Sequence, residues 1–338
     1  MLKFVGDICF SDKNFDVGFG VGTKISNGFN PFEKLSKHED DIWIGNFESV
    51  VARNTNKTDY RKECFLISPE SIANLGFIDY YGIANNHVME HGETAYREMC
   101  SNLQSLSKGV FGSLDQKSVT FEHQNKKVSI TGFSLRKEET GNQPLYWVLP
   151  EMSEIEAEYK SLDSDYKIAY IHWGVEFINY PNIDQVRFAH WMIDLGFDLI
   201  IGMHPHVMQG YEIYKDKYIF YSLGNFVFNM AWTPSKYTAV INLDLIRNEI
   251  SWDYIKIDSN LYPVVVEKLN TPEIYRFDNL NRFIQKRLNI EEYIKKQQQG
   301  LRNYRKSLHW DFLKNITKYK HSTLLGMVKD FINRRFIK

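Results

Sequence analysis

Asp198-Leu199-Ile200-Ile201-Gly202-Met203-His204-Pro205-His206 is an apolar run that ends in two histidines flanking a proline. The run is too short for a helix and apolar on both faces, the pattern of a strand buried inside a parallel sheet. Pro205 restricts the backbone between the imidazoles. Side chains at the carboxyl end of such a strand face the crevice where α/β sheets bind ligands.

Five further segments share this form. Leu2–Ile8 is a short apolar strand containing Gly6-Asp7. Asp41–Phe47 leads into Gly45-Asn46-Phe47-Glu48, and Phe77–Ala84 into Asn85-Asn86-His87. Residues 127–132 form a fourth, and 167–171 run into His172-Trp173-Gly174. Between them, 69–75, 93–106 and 183–195 carry apolar residues at helical spacing. Alternating strands and helices imply a mainly parallel sheet with right-handed crossovers. After Met208 the pattern changes to close-set strands at 211–214, 218–223, 239–245 and 252–257, joined by turns at 215–217 and 247–249. An antiparallel section therefore follows the parallel one.

Asp7, Glu48, Asn86, His172, His204 and His206 all stand at predicted strand ends, and each type can ligate a metal. Carboxylate with imidazole suits Zn, Fe, Mn or Ni better than Ca. Singly, each has a bland reading. Asp7 could be a turn residue, Glu48 a helix N-terminal charge, Asn85-Asn86 a turn and His172 a satisfied core histidine. Their convergence on one sheet edge favours a shared site. Trp173 reads as a core aromatic or a substrate platform, and Glu176 as a support for a metal-bound histidine or a plain surface residue. Tyr221-Ser222-Leu223-Gly224-Asn225-Phe226 lacks the Gly-x-Ser-x-Gly frame of a nucleophile elbow and reads as a sharp turn beneath the site.

The 338 residues are 43% hydrophobic and 15% aromatic, enough for a sizeable core. A net charge of −1 excludes the whole protein as an electrostatic nucleic-acid binder. Residues 281–338 hold 15 Lys or Arg against 4 Asp or Glu, a net of +11, which leaves −12 for the rest. Cys9, Cys64 and Cys100 are too few and too scattered for a disulfide framework or a cysteine zinc site, which fits a reducing compartment. No apolar targeting core precedes Gly6, and no apolar run approaches the ~20 residues of a spanning helix. The expectation is cytoplasmic residence. In the basic tail, Leu324, Leu325, Val328, Phe331 and Ile332 fall on one helical face, with Lys329, Arg334 and Lys338 largely off it. That face is expected to pack on the body; peripheral attachment to a membrane or to surface-polymer machinery is the alternative.

The chain resembles the CapA family of bacterial capsule and poly-γ-glutamate synthesis proteins. The resemblance rests on Gly6-Asp7, Asn46-Phe47-Glu48, Ala84-Asn85-Asn86-His87 with Gly92, His172-Trp173-Gly174-Val175-Glu176, Gly202–His206, Gln209-Gly210 with Glu212, and Tyr221–Phe226. It covers roughly residues 1–260. It implies a four-layer α/β/β/α metallophosphoesterase-like fold, expected over 1–268; the extension over 269–338, helical and basic by its pattern and charge, lies outside the resemblance. It also implies a centre for one or two divalent ions, Mn, Fe, Zn or Ni. By position Asp7, Glu48, Asn86, His172, His204 and His206 resemble ligands, and Glu48 a bridging one. His87 resembles the histidine that contacts the substrate or leaving group. Asn46, Asn85, Trp173, Glu176 and Asn225 are placed as supporting or substrate residues. The chain departs from the wider superfamily at Cys9, where the first motif usually has a histidine. The departure implies one ligand fewer at the first metal than the superfamily pattern has.

These readings imply a metal-dependent hydrolase of a phosphoester in capsule or other surface-polymer biosynthesis, acting on an anionic polymer or a smaller phosphoester. A non-catalytic polymer assembly factor, and an amide hydrolase for γ-glutamyl links, are the alternatives.

Overall fold

The computed structural model describes residues 1–286 and 289–336. In chain order its first elements are β1 (Leu2–Ile8), α1 (Val21–Ser26), β2 (Ile42–Phe47), β3 (Val50–Val51), β4 (Leu66–Ile67), α2 (Pro69–Ile72), β5 (Tyr80–Gly82), α3 (Gly92–Leu106) and β6 (Gly109–Phe111). Next come β7 (Ser118–His123), β8 (Lys126–Ser134), α4 (Met152–Ser161), β9 (Tyr166–His172), α5 (Ile183–Leu195) and β10 (Leu199–Met203). The later strands are β11 (Tyr211–Tyr214), β12 (Lys217–Phe220), β13 (Asn225–Val227), β14 (Tyr237–Asp244), β15 (Glu249–Ile257) and β16 (Pro263–Val266). Three helices follow: α6 (Phe277–Lys286), α7 (Ile290–Asn315) and α8 (His321–Phe336).

Two sheets result. One has the order β16-β15-β14-β1-β2-β5-β6, with β13 also on β1; the other has the order β11-β12-β10-β9-β8-β7. Strand alternation sorts their side chains into layers. Leu2, Phe4, Ile42, Ile44, Ile168, Tyr170, Leu199 and Ile201 fill the space between the sheets. Val5, Trp43 and Tyr81 point the other way, onto α1, α2 and α3. Ala169, Ile171 and Ile200 pack on Ile155 of α4 and on Val186, Ala189 and Met192 of α5. The architecture is thus four-layered, α/β/β/α.

The antiparallel section is divided between the two sheets. β11 and β12 extend the second sheet, where β12 lies parallel to β10, while β14–β16 extend the first. The strand expected at 77–84 is shorter, because 77–79 precede the ladder, and β12 stops at Phe220, before the turn beneath the site.

The helical extension is built into this body. Phe277 and Leu280 of α6 lie in the core between the sheets, and Asn281 Oδ1 accepts a hydrogen bond from Tyr211 N at 2.8 Å. In α8 the face singled out from sequence is not the one that packs. Leu325, Val328, Phe331 and Ile332 are exposed, whereas Thr323 is buried and Gly326 lies against the Tyr60 ring. Thr323 and Gly326 let this helix approach the 60–63 turn closely, Leu324 of the expected face is half-buried, and the other four expected residues are exposed. The Arg334 side chain and Lys338 lie outside the described residues. Among the described residues no helix is long and apolar enough to cross a membrane.

Candidate metal centre

β1, β2, β9 and β10 run parallel, in registers that place Asp7 beside Asn46 and His172 beside Met203. Their carboxyl ends therefore meet. At Gly6 an added Cβ would lie 1.8 Å from the Gly224 carbonyl oxygen, so only glycine lets the turn before β13 pass. That turn is fixed when Asp7 N donates to Gly224 O at 2.9 Å.

Six of the expected residues converge here. The ligand atoms of Glu48, His172 and His204 lie within 4.8 Å of one another, as do those of Asp7, Glu48 and His206. Glu48 belongs to both groups. Asn86 joins the first, its Oδ1 2.9 Å from His172 Nε2, and His204 Nδ1 is 3.0 Å from the same nitrogen. His204 and His206 both adopt positive φ, at 96° and 57°, around Pro205. Non-glycine residues hold that conformation only where their surroundings enforce it, commonly at functional sites.

The supporting residues are placed as follows. Asn46 Nδ2 donates to Asp7 Oδ1 at 2.8 Å and lies 3.3 Å from His172 Nδ1. Asn85 Nδ2 reaches Asn46 Oδ1 and the Phe47 carbonyl. Asn225 Oδ1 is 2.9 Å from His206 Nδ1. Trp173 is buried in the outer core against α5, and its Nε1 donates to Tyr221 O at 2.8 Å, so it sits beneath the site as a structural aromatic. Glu176 lines the cleft above His206. Cys9 lies in an apolar cluster with Phe65, Phe177 and Phe228, its sulfur 3.6 Å from the Ser11 carbonyl.

The electrostatics ask for a cation. Glu48 is fully buried, and neither carboxylate oxygen has a hydrogen-bond partner; His204 Nε2 is likewise unpartnered. Such orphans are costly unless something pairs with them. Burial, then the charge of Asp7, pushes the Glu48 carboxyl well above the ordinary carboxylate range. Burial, then neighbouring imidazoles, holds His172 and His204 well below the ordinary histidine range, hence neutral and able to ligate. For His206 burial pulls down, but the Asp7 hydrogen bond and charge outweigh it and raise the pKa. Two carboxylates, three imidazoles and an amide oxygen fit a divalent transition metal.

His87 stands at the rim. Its Nε2 is 3.8 Å from Glu48 Oε1 and its Nδ1 3.2 Å from Glu90 Oε1, and the ring stacks on Phe65 with centroids 4.0 Å apart. Glu90 in turn pairs with Lys57. Sequence reasoning passed over Lys13, Lys57, Phe177 and Tyr304, which also line the cleft. Lys13 follows the first motif by only six positions, a usable signal. Tyr304 is distant in sequence and reaches the site only because α7 crosses it.

The family described as bacterial capsule synthesis protein PGA_cap matches residues 1–230. The PGA biosynthesis protein CapA of Bacillus subtilis (strain 168) is 32% identical over 265 residues, 73% of this chain and 68% of that protein. The capsule biosynthesis protein CapA of Bacillus anthracis is 29% identical over 271 residues, 73% of this chain but 64% of its own length. Among solved structures, a novel phosphatase from Mycoplasma pneumoniae aligns at a TM-score of 0.48 and 13% identity, covering 78% of this chain and 92% of that one. All six clustered residues, and His87, fall inside the matched region. The chain belongs to the bacterial capsule synthesis protein family PGA_cap.

Proposed function

We propose that the protein is a metal-dependent hydrolase of a phosphoester, working in the biosynthesis of a capsule or related surface polymer. The buried, unpartnered carboxylate of Glu48, shared by two ligand groups, carries this reading. The polymer context rests on the relatives' names.

Asp7, Glu48 and His206 would hold one divalent ion, and Glu48, Asn86, His172 and His204 a second. A bound cation there would polarise the ester and lower the pKa of water. The protein's own part is positioning. Asn225 Oδ1 accepts from His206 Nδ1 and fixes that ring, and loss of such a partner weakens metal sites of this kind by about 10–100-fold, while Asn46 holds Asp7. Glu90 holds His87 through Nδ1, which leaves Nε2 facing the cleft. As the bond from phosphorus to the leaving oxygen breaks, His87 Nε2 gives that oxygen a proton. The attacking water returns one to the ring, and the balance closes.

The test combines elemental analysis with turnover of bis(p-nitrophenyl) phosphate. Bound Mn, Fe, Zn or Ni that disappears in a His204→Ala/His206→Ala variant, together with turnover, is the expected result. His87→Ala should keep the metal and lose about 10²–10⁴-fold in kcat. Unchanged turnover in that variant sinks the mechanism. Cys9, at the position of a first-motif histidine and turned toward Ser11, favours the non-catalytic assembly-factor reading instead. That reading takes over if the wild type stays inactive after loading with each metal.

A further inference from the structure

Two cavities meet at the metal cluster. One, of 250 Å³, is lined by Lys13, Glu176, Phe177, Phe228, Tyr304 and Leu308 among others. The other, of 700 Å³, is lined by Asn56, Lys57, Thr58, Arg61, Thr140 and Asn142 among others. Asn14, Phe65 and His87 line both. The stacked pair Phe65–His87 thus stands between the cavities, at the place where the leaving oxygen would be protonated.

The walls differ in chemistry. The smaller cavity is aromatic and aliphatic on the side of Phe177, Phe228, Tyr304 and Leu308. The larger offers amides and hydroxyls. Its two cations are already paired, Lys57 with Glu90 and Arg61 with Asp59, and Glu139 pairs outward with Arg136, so hydrogen-bonding groups rather than a free cation face its interior.

One wall of the smaller cavity comes from α7, beyond the matched residues 1–230. The helix comes close because residue 300 is glycine: an added Cβ would lie 2.3 Å from the Phe177 carbonyl oxygen. Tyr304 then stacks on Phe177 with centroids 4.0 Å apart, and Phe177 on the His206 ring at 6.2 Å. Phe177 holds a positive φ of 64°, and its N–H donates to Pro205 O at 2.9 Å. The helical extension is thereby stacked, ring on ring, onto the metal centre.

We propose that the substrate is substituted on both sides of its reacting atom, a diester or an internal link rather than a terminal monoester. Its apolar or planar arm lies against Tyr304 and Leu308, and its polar arm, rich in hydroxyl or amide groups, lies in the groove beside Asn56 and Asn142. A monoester fills one cavity and leaves the other to water. The inference deepens the hydrolase reading and rests on it for the identity of the reacting group.

The test is calorimetric binding to the metal-loaded full chain, with two non-hydrolysable monoanions. Phenylphosphinate carries one arm; phenyl(2-hydroxyethyl)phosphinate carries two. The two-armed anion should bind about ten-fold more tightly. Asn56→Ala should erase that advantage, and Tyr304→Ala should weaken both anions at unchanged metal content. Equal affinity of the two anions for the wild type, or no binding of either, overturns the proposal without recourse to any variant. Unchanged affinities in Tyr304→Ala overturn the part played by α7. Selective binding without hydrolysis of bis(p-nitrophenyl) phosphate leaves the two-armed site standing and removes the hydrolase reading instead.

Discussion

The strand ends that hold the buried Glu48, His172 and His204 and the helix α7, which shares a cleft with His206 beside them, are held by opposite means. The strand ends are fixed from below, by parallel registers and by a chain of amides in which Asn85 holds Asn46 and Asn46 holds Asp7. α7 is fixed from above, by the close approach of Gly300, by ring contacts of Tyr304 on Phe177 and Tyr293 on Tyr180, and by Leu301 in the apolar cluster. The first arrangement stores buried polar groups that need a cation. The second stores shape. A site built this way can keep its chemistry constant while the covering helix alters what fits.

The largest break should come at the chemistry. Glu48→Gln should lower metal affinity by more than about 100-fold, beyond the range for losing a supporting partner. It should also raise the melting temperature of the metal-free protein, because a buried carboxyl with no hydrogen-bond partner, beside the charge of Asp7, is gone. Titration calorimetry and thermal melts of both forms check this; a metal-free protein that melts lower would contradict the buried-charge account. Gly300→Leu strikes the other region. Forcing a side chain against the Phe177 carbonyl should cost about 3 kcal/mol in denaturant unfolding with the metal retained. A cost near zero would mean that α7 does not press on Phe177.

A smaller effect separates the rim from both. Burial alone would raise the pKa of Glu90, but His87 and Lys57 outweigh it and hold the carboxyl at about 2, below its ordinary 4.5. A depressed carboxylate contributes stability in full above its unfolded pKa and loses it as the pH falls from 4.5 through 2. Glu90→Gln should therefore destabilise the protein at pH 7 by about 1–2 kcal/mol and flatten its acid titration across that window. Equal slopes for variant and wild type would refute the assignment. The smallest effect belongs to the exposed face of α8. Val328→Ser should change stability by no more than about 0.5 kcal/mol, and a loss of several times that would place Val328 in a buried contact.

The same contrast explains what the sequence made legible. Short, nearly continuous apolar runs in β1, β2, β9 and β10, each ending at an Asp, Glu or His, marked both the sheets and the cluster at their ends. β7 differs, alternating Val119 and Phe121 with Thr120 and Glu122 at the edge of its sheet, and with no chemistry following it the segment carries no comparable signal. β13 has only three residues and is a strand because Gly6 lets its turn approach β1. The packing face of α8 was misjudged because periodicity weighs bulk, whereas the contact with Tyr60 is made by Gly326. Tyr304 carried no local signal, since its place depends on a crossing 130 residues beyond His172.

β1 has consequences for synthesis as well as for the site. It pairs with β2 on one side and with β13 and β14 on the other. The partners on that second side, β13 and β14, therefore emerge some 220–235 residues after it does. At ~5–20 residues per second, the ribosome leaves one edge of that strand open for roughly 12–50 s. Through that interval Phe4 lacks Ile241 and Asp7 lacks Asn225 on that side, and the nascent chain is at its most vulnerable to pairing with another copy of itself.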